Sequence, residues 1–318
     1  MGALLAACVV VLGAWVRLTD AGLGCPDWPG CYGHLVPGAG QGAAKAWHEM
    51  IHRYVAGSLG AVITSLLVWA ILRRHDRGQP LIPVGLLFLV VCFQGALGAL
   101  TVTLLLKPLI VTAHLLGGLT TLGLLWWLSL EPDRRNLSPA ESRLRPLAAL
   151  AFACLVLQIA LGGWTSTNYA AVACPDFPTC QRAWWPAMDY RDAFVLWRGL
   201  GINYEGGVLA NPARVAIHLT HRLGAVLAGT VLLTLGLLAL GRARARQVRF
   251  AGGLLAAAVL LQISIGIATV HWGVPLALAT AHNAGAALLV VGTVTLLRAL
   301  WPEPALGMVP LRRGQPPR

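Results

Sequence analysis

The sequence predicts an all-α polytopic membrane protein in which eight transmembrane helices form two duplicated four-helix bundles. Only 11% of its 318 residues are charged, against about 25% in an ordinary soluble domain. Hydrophobic residues make up 57% and the mean hydropathy is +0.69, which excludes a water-soluble globular protein and a disordered chain. The apolar stretches lack the period-2 alternation of a membrane β-barrel, so a helical bundle is what remains.

Eight apolar stretches are each long enough to cross about 30 Å of hydrocarbon as a helix. They cover residues 2–18, 47–72, 80–103, 109–130, 146–166, 213–240, 250–270 and 276–301. The first is at the short limit for a span. Because it lacks the basic start and the cleavage pattern of a signal peptide, we expect it to be a helix of the bundle.

The basic residues lie mostly in alternate loops. Fifteen of the 24 fall within 73–77, 134–145, 242–249 and 298–318. The positive-inside rule makes this face cytoplasmic, together with both termini. The net charge of +12 therefore reflects topology and gives no support to nucleic-acid binding.

The two long loops on the opposite, extracytoplasmic face, 19–46 and 167–212, each contain one cysteine pair. An oxidising compartment favours disulfides, and the spacing within each pair is longer than that of a usual zinc knuckle. We therefore predict disulfides Cys25–Cys31 and Cys174–Cys180. The remaining cysteines lie in apolar runs and are expected to be buried thiols; they are Cys8, Cys92 and Cys154.

The two halves of the chain repeat each other, which predicts parallel bundles related by an axis along the membrane normal. The matched elements are the Cys-Pro-Asp loops that begin at Cys25 and Cys174, His52-Arg53 with His221-Arg222, Ala113-His114 with Ala281-His282, and Gln94-x-x-x-Gly98 with Gln262-x-x-x-Gly266. The predicted organisation is an N-terminal bundle over 1–130, a cytoplasmic linker over 131–145, a C-terminal bundle over 146–301 and a cytoplasmic tail over 302–318.

Four histidines are matched between the repeats and lie near the outer ends of spans: His52, His114, His221 and His282. Ionisable groups inside a membrane are costly and indicate function by default. Neutral imidazole is a common ligand of haem iron, and two facing helices of a four-helix bundle can supply two axial ligands. We predict that His52 and His114 bind one iron porphyrin and that His221 and His282 bind another.

Small residues follow each of these histidines and are expected to leave room for a flat ring, although the same residues would also allow close helix packing. They are Ala56 and Gly60; Gly117, Gly118 and Thr121; Gly224, Ala225, Ala228 and Gly229; and Gly285 and Ala286. Arg53 and Arg222 each follow a histidine and are candidate partners of haem propionates. The alternative for both is an arginine that extends to the membrane interface.

The copies differ three residues before the first histidine, where the N-terminal half has Glu49 and the C-terminal half has His218. At this spacing Glu49 shares a helix face with His52 and is a candidate general base. The alternative is a carboxylate that stabilises a helix N-terminus. His218 is expected at the interface. The difference predicts a fixed redox haem between His221 and His282 and a substrate haem between His52 and His114.

The first outer loop and the histidine motifs together resemble the haem A synthase family. They are Arg-Leu-Thr-Asp-Ala-Gly-Leu-Gly-Cys-Pro-Asp-Trp-Pro before Cys31, Glu49-x-x-His52-Arg53, Ala113-His114, His221-Arg222 and His282. The resemblance implies an oxidoreductase that converts a methyl group of haem O to the formyl group of haem A by successive hydroxylation. It implies that His221 and His282 ligate the cofactor haem b, and that His52, His114 and Glu49 form the site of haem O.

The resemblance also implies partners and a location. These are a bacterial plasma membrane with its lipid, haem O supplied by its synthase, and an unidentified electron acceptor, with assembly into a homo-oligomer left open. Two other functions stay open from the residues: a di-haem electron-transfer protein and a haem-handling assembly protein without catalysis. The first leaves Glu49 unexplained, and the second does not require a second, permanently ligated site.

Overall fold

The computed structural model describes residues 1–38, 40, 42–76, 80–131 and 137–301, and the described chain is helical. Its eight long helices are α1 (Gly2–Leu18), α2 (Ala43–Leu72), α3 (Leu81–Thr103), α4 (Pro108–Ser129), α5 (Arg145–Thr167), α6 (Asn211–Arg242), α7 (Arg246–His271) and α8 (Leu276–Leu300). Short helices cover Pro139–Ser142 and Tyr190–Ala193, and a single 3₁₀ turn covers Ala170–Val172. Within these ranges the only β-structure is two isolated bridges, Cys31 with His34 and Cys180 with Ala183.

Seven of these helices, α2 to α8, are long and apolar enough to cross a membrane. The prediction of a multi-pass helical membrane protein is therefore confirmed. Helix α1 has 17 residues and is shorter than the others, so the eighth predicted span is a helix whose crossing is not confirmed. The sides of the loops and termini stay predictions. Residues 132–136 of the predicted linker and the tail 302–318 lie outside the described residues.

The outer surface of the helices carries many large apolar side chains, including Leu89, Phe93, Val226 and Phe250. A surface of this kind is stable in contact with lipid and unstable in water. Cys8 and Cys92 lie on this exposed surface, so the expectation that they are buried is wrong. A thiol is small and weakly polar and can face hydrocarbon at little cost.

The first four helices pack in a ring, α1–α2–α3–α4, and the last four pack in a second ring, α5–α6–α7–α8. The rings meet where α1 contacts α8, α4 contacts α5, and α4 contacts α8. The Trp126 indole N–H on α4 donates to Thr295 Oγ1 on α8 at 2.8 Å across this seam. Exchange of the halves would map the α1–α8 contact onto the α4–α5 contact and the α4–α8 contact onto itself, as a duplication requires, although the duplication itself stays a prediction.

The largest apolar core lies at the end of the bundle away from the cysteine loops. On each histidine-bearing helix its buried residues follow the histidine by one or more turns; they include Leu59 and Ile63 on α2, Leu119 and Leu122 on α4, Leu232 and Leu235 on α6, and Leu296 and Leu300 on α8. A dense core at one end holds the helix axes. The histidines and the long loops occupy the other end.

Helices α6 and α7 make a close backbone contact through two glycines. A Cβ at Gly252 would lie 2.7 Å from Ala239 Cβ and from the Gly236 carbonyl oxygen. Real side chains do not approach this closely, so any larger residue at 252 must separate the two helices. The neighbouring Gly253 is different, because a Cβ there would lie 3.5 Å from the flexible side chain of Leu240.

We expect Gly252→Ala to destabilise the protein by about 1–3 kcal/mol, as overpacking of a tight contact does. Gly253→Ala is the matched control and should have a much smaller effect. The measurement is the thermal unfolding midpoint of both variants in the same detergent. Equal midpoints for the two variants would show that the α6–α7 contact does not depend on Gly252.

Candidate functional site

The four repeat-matched histidines lie on alternate helices near the ends that carry the cysteine loops. They are His52 on α2, His114 on α4, His221 on α6 and His282 on α8. In each half the two histidine-bearing helices belong to the same four-helix ring, α2 and α4 in the first and α6 and α8 in the second. The structure therefore brings the predicted ligands together in the two predicted pairs.

Each of these imidazoles rests against a glycine of the preceding helix in its ring. The distance from a Cβ built on the glycine to the imidazole Cε1 is 3.0 Å for Gly13 and His52, 3.5 Å for Gly98 and His114, 3.1 Å for Gly162 and His221, and 3.0 Å for Gly266 and His282. A larger residue at these positions would press on the ring. Their contact with the histidines was not predicted, although the matched positions of Gly98 and Gly266, and of Gly13 and Gly162, were a usable signal in the sequence.

The expectation that small residues leave room for a ring is wrong for three glycines. Glutamine side chains from neighbouring helices fill the space next to Gly117, Gly224 and Gly285. A glycine three residues after a histidine admits a polar side chain here and leaves no gap. Gly118 and Gly60 instead face valine side chains at 3.7 and 3.8 Å.

The histidines fit a porphyrin better than a bare metal ion. The Nδ1 atoms of His52, His114 and His282 are buried and have no hydrogen-bond partner, so these imidazoles are not used as structural donors through that nitrogen. In the described part of the chain no group of three or more His, Cys, Asp or Glu side chains could hold a metal ion. A porphyrin supplies four nitrogens itself and requires only the two axial protein ligands that each pair offers.

Glu49 is buried and both of its carboxylate oxygens are engaged. Oε2 accepts the backbone N–H of Cys25 at 2.8 Å, and Oε1 lies 2.5 Å from Arg53 Nη2. Glu49 is 5% exposed, so this ion pair is removed from water. The Glu49 carboxylate thus connects α2 directly to the first disulfide loop. The sequence spacing of Glu49 and His52 gives no sign of this contact.

Arg53 and Arg222 both bind the cysteine loops through backbone carbonyls. Arg53 Nη1 donates to the carbonyl oxygens of Asp27 and Gly30 at 2.9 and 2.5 Å. Arg222 donates to the carbonyls of Cys174 and Thr179 at 3.0 and 2.8 Å. Each arginine therefore fastens its own loop over the histidine that precedes it, and a role toward haem propionates stays a prediction.

His218, which stands where the first half has Glu49, is 4% exposed. Its Nδ1 lies 3.0 Å from the carbonyl oxygen of Ala170 in the 3₁₀ turn. The expectation that His218 lies at the interface is therefore wrong, because the long second loop folds back over it. Glu49 and His218 therefore both contact the backbone of an outer loop. Glu49 accepts a hydrogen bond from an N–H group, whereas His218 contacts a carbonyl oxygen.

Both predicted cysteine pairs are at disulfide distance, with Sγ–Sγ separations of 2.05 Å for Cys25–Cys31 and 1.96 Å for Cys174–Cys180. Within each loop an aspartate accepts backbone N–H groups. Hydrogen bonds from the Gly33 and Tyr32 N–H groups hold the pKa of Asp27 below its ordinary value. The Thr179 hydroxyl, followed by the Arg182 N–H, lowers the pKa of Asp176 in the same way.

The second outer loop extends across the first half of the molecule. Lys107, at the start of α4, is 2% exposed and donates to the carbonyls of Arg198 and Gly199, both at 2.5 Å. Its ammonium also lies 3.9 Å from the ring centre of Trp197, a favourable cation–π contact. The Tyr204 N–H donates to the Leu105 carbonyl at 3.1 Å. The loop is therefore held beside the helix that carries His114.

A second set of contacts joins the same loop region to the first outer loop. Arg17 donates to the Ser166 carbonyl at 2.6 Å and lies 4.1 Å from the ring centre of Tyr169. The Tyr169 hydroxyl donates to Asp20 at 2.8 Å. Lys107 and these contacts were not predicted from the sequence. One signal was available, because the chain contains only two lysines, Lys45 and Lys107, and both contact the second loop.

Comparison with known proteins gives a consistent result along the whole chain. The family model described as "COX15-CtaA: Cytochrome oxidase assembly protein" matches residues 1–294. A Heme A synthase of Shewanella oneidensis is 41% identical over 311 residues, 92% of this chain and 92% of that protein. A Heme A synthase of Rhodopseudomonas palustris is 27% identical, with 95% of this chain and 90% of that protein covered. A Heme A synthase of Rhizorhabdus wittichii is 29% identical, with 91% of this chain and 88% of that protein covered. The resemblance expected from the motifs is thereby confirmed.

We expect Lys107→Met to release the second outer loop, because the carbonyls of Arg198 and Gly199 lose the buried ammonium that holds them. Loss of about 1–3 kcal/mol of such contacts corresponds to a fall of about fivefold or more in amide protection. The measurement is hydrogen–deuterium exchange of residues 196–206. Lys45→Met is the control, since Lys45 forms a half-exposed ion pair with Glu205 of the same loop at 3.6 Å and such pairs contribute little. Unchanged protection in Lys107→Met would contradict this account.

Proposed function

The chain belongs to the COX15-CtaA family of cytochrome oxidase assembly proteins, and on that premise we propose that it is a haem A synthase, an enzyme that acts on haem O and makes haem A. Its relatives carry that name over nearly their full length. The observation that supports this function best is the asymmetry between two otherwise matched histidine pairs. Only the first pair has a buried carboxylate, Glu49, one turn before a histidine.

In this proposal the second pair holds the cofactor and the first pair holds the substrate. His221 and His282 would ligate haem b, which would supply electron transfer when bound. His52 and His114 would hold haem O in the half of the molecule that carries Glu49. Each of the four imidazoles packs against a glycine of the preceding helix, and these contacts set the positions of the rings in both sites.

In this proposal water supplies the oxygen atom, so conversion of –CH3 and H2O to –CHO releases four protons and four electrons, and the reaction requires a proton acceptor and an electron acceptor. Glu49 is the proposed proton acceptor, and the Cys25 N–H and Arg53 position its two oxygens. The electron acceptor is a separate partner of this protein. Successive hydroxylation of the methyl group with loss of water is the proposed course of the reaction.

The location and partners form part of the same proposal. The arginine-containing ends that follow α2, α4 and α6 face the cytoplasm, and the cysteine loops face outward in a bacterial plasma membrane. Haem O enters from its synthase, and haem A leaves for a terminal oxidase. The second outer loop, which Lys107 holds beside α4, covers the outer mouth of the substrate site.

The test is expression beside a source of haem O, followed by extraction and mass analysis of the bound haems. We expect the wild-type protein to give haem A or a hydroxylated intermediate. Glu49→Gln should lower product at least about a hundredfold, the usual contribution of a general base, and should retain haem b. His52→Ala and His114→Ala should do the same, whereas His221→Ala and His282→Ala should lose haem b.

His48→Ala is the matched control for His52→Ala, because His48 lies on the same helix one turn earlier and packs edge-on against Trp15, with 6.1 Å between ring centres. It should leave product and haem b unchanged. Haem b alone, with haem O untouched, would favour a di-haem electron-transfer protein. Loss of the same haem from both sets of histidine variants would contradict the division between the halves.

A further inference from the structure

Each cysteine loop contains a tight hairpin that closes between a cysteine and the third residue after it. Cys31 and His34 exchange two backbone hydrogen bonds, at 2.7 and 3.1 Å, and Cys180 and Ala183 do the same at 3.0 and 3.1 Å. The two central residues of both hairpins lie in the left-handed region of the backbone, as a two-residue hairpin turn requires. An aspartate in each loop accepts N–H groups of the turn. The two hairpins are therefore matched, well-defined elements.

Two large apolar side chains follow each hairpin directly and are exposed. They are Leu35–Val36 and, 149 residues later, Trp184–Trp185, which we call the apolar pairs. Their exposed fractions run from 60% at Val36 to 73% at Trp184. The proline that follows each pair is buried. The chain is thus fixed to the protein on both sides of each apolar pair, and the pair itself is left outside.

The hairpins are attached to the two longest helices, α2 and α6. These have 30 and 32 residues, whereas α3, α4, α5, α7 and α8 have 22 to 26. About 20 residues of helix cross about 30 Å of hydrocarbon. Helices α2 and α6 therefore have about three turns more than the hydrocarbon requires.

The charged ends of α2 and α6 show on which side these additional turns lie. Exposed arginines mark the end away from the cysteine loops, Arg73 after α2 and Arg242 as the last residue of α6. Counting about 20 residues back from them places the other boundary of the hydrocarbon close to Arg53 and Arg222. These two arginines bind the carbonyl of the residue directly before each hairpin. Each hairpin therefore lies within the length of an arginine side chain of this boundary, at the level of the lipid headgroups.

The first apolar pair also continues the lipid-facing surface of α2. The hydroxyl of Tyr54, the residue after Arg53, donates to the Leu35 carbonyl. Tyr54 lies on an exposed face of α2 together with Ile51 and Val62, and an apolar surface of this kind is stable against hydrocarbon. A tyrosine with its ring toward lipid and its hydroxyl on a polar partner is typical of a membrane interface. Leu35 is thus held beside the membrane-facing side of the helix and not above its end.

We propose that the two hairpins anchor the protein in the phospholipid interface, and that both apolar pairs insert at the boundary between headgroups and acyl chains. Tryptophan is enriched at this depth, and leucine is the usual apolar residue of interfacial segments. The residue types differ between the halves whereas the exposure does not, which fits a lipid surface better than the shaped pocket of a protein partner. An anchored hairpin keeps its cysteine loop at a fixed height over the histidine that precedes each arginine.

The experiment measures the depth of the second apolar pair by fluorine NMR. The full-length protein is labelled with 5-fluorotryptophan and placed in phosphatidylcholine nanodiscs that hold one copy each, and Trp184→Phe and Trp185→Phe assign the two resonances. A nitroxide on the upper part of the lipid acyl chains should broaden both resonances severalfold more than a water-soluble gadolinium chelate does. Stronger broadening by the chelate would overturn the proposal. Phenylalanine keeps an apolar ring, so we expect the assignment variants to retain the fold.

Two tryptophan reporters on the first half form a matched comparison, Val36→Trp and Lys45→Trp. Lys45 lies on α2 eight residues before Arg53, about 12 Å outside the boundary of the hydrocarbon, and its side chain is 51% exposed. Val36→Trp should be broadened more by the lipid nitroxide, and Lys45→Trp more by the gadolinium chelate. The same pattern at both positions would overturn the anchor in the first half.

The nanodiscs also separate lipid from a protein partner. If a second copy of the chain covers the Trp184–Trp185 pair, protection from the chelate appears only in discs that hold two copies, and this result would overturn the lipid anchor. Protection that is equal in discs of one and two copies is the expected result. None of these readouts requires bound haem, so this inference and the proposed function can fail independently.

Discussion

The structure depends on how a polar imidazole is held within a bundle surrounded by hydrocarbon. Polar groups at membrane depth are stable only when protein atoms surround them. Here each of the four histidines rests against a glycine of the preceding helix, as His52 does against Gly13 and His221 against Gly162. The apolar core at the opposite end of the bundle holds the helices at the spacing that these contacts require. The position of each histidine within the bundle is therefore set by helix packing.

The outer end of the bundle is organised by the two disulfide loops. Arg53 and Arg222 bind the backbone of their own loops, and Glu49 joins the first loop to the helix of His52. Lys107 joins the second loop to the first half. A change in either loop is thus transmitted to the helix that carries a histidine, which connects the predicted outer compartment with the proposed substrate site.

Much of the fold and part of the candidate site could be predicted from the sequence. The apolar stretches predicted the positions of the helices because hydrocarbon requires long uncharged segments. The repeat showed which histidines correspond between the halves, since matched motifs must occupy matched positions. The pairing within each half was predicted from facing helices of one bundle, and the disulfides from an oxidising compartment. Cys8 and His218 were placed wrongly because burial on a particular face depends on neighbouring helices and on the path of the long second outer loop, about which local composition says little.

By itself the sequence determined the helical class, the two histidine pairs, the cysteine pairing and the difference between Glu49 and His218, because each is a matter of residue type and spacing. Only the tertiary structure decided what surrounds these groups. It joined Glu49 to Cys25 across 24 residues and Lys107 to Gly199 across 92. It also placed Gln158 over Gly224, a contact between adjacent helices. Hydrogen bonds act over about 3 Å, and the chain must fold before groups so distant in sequence come that close.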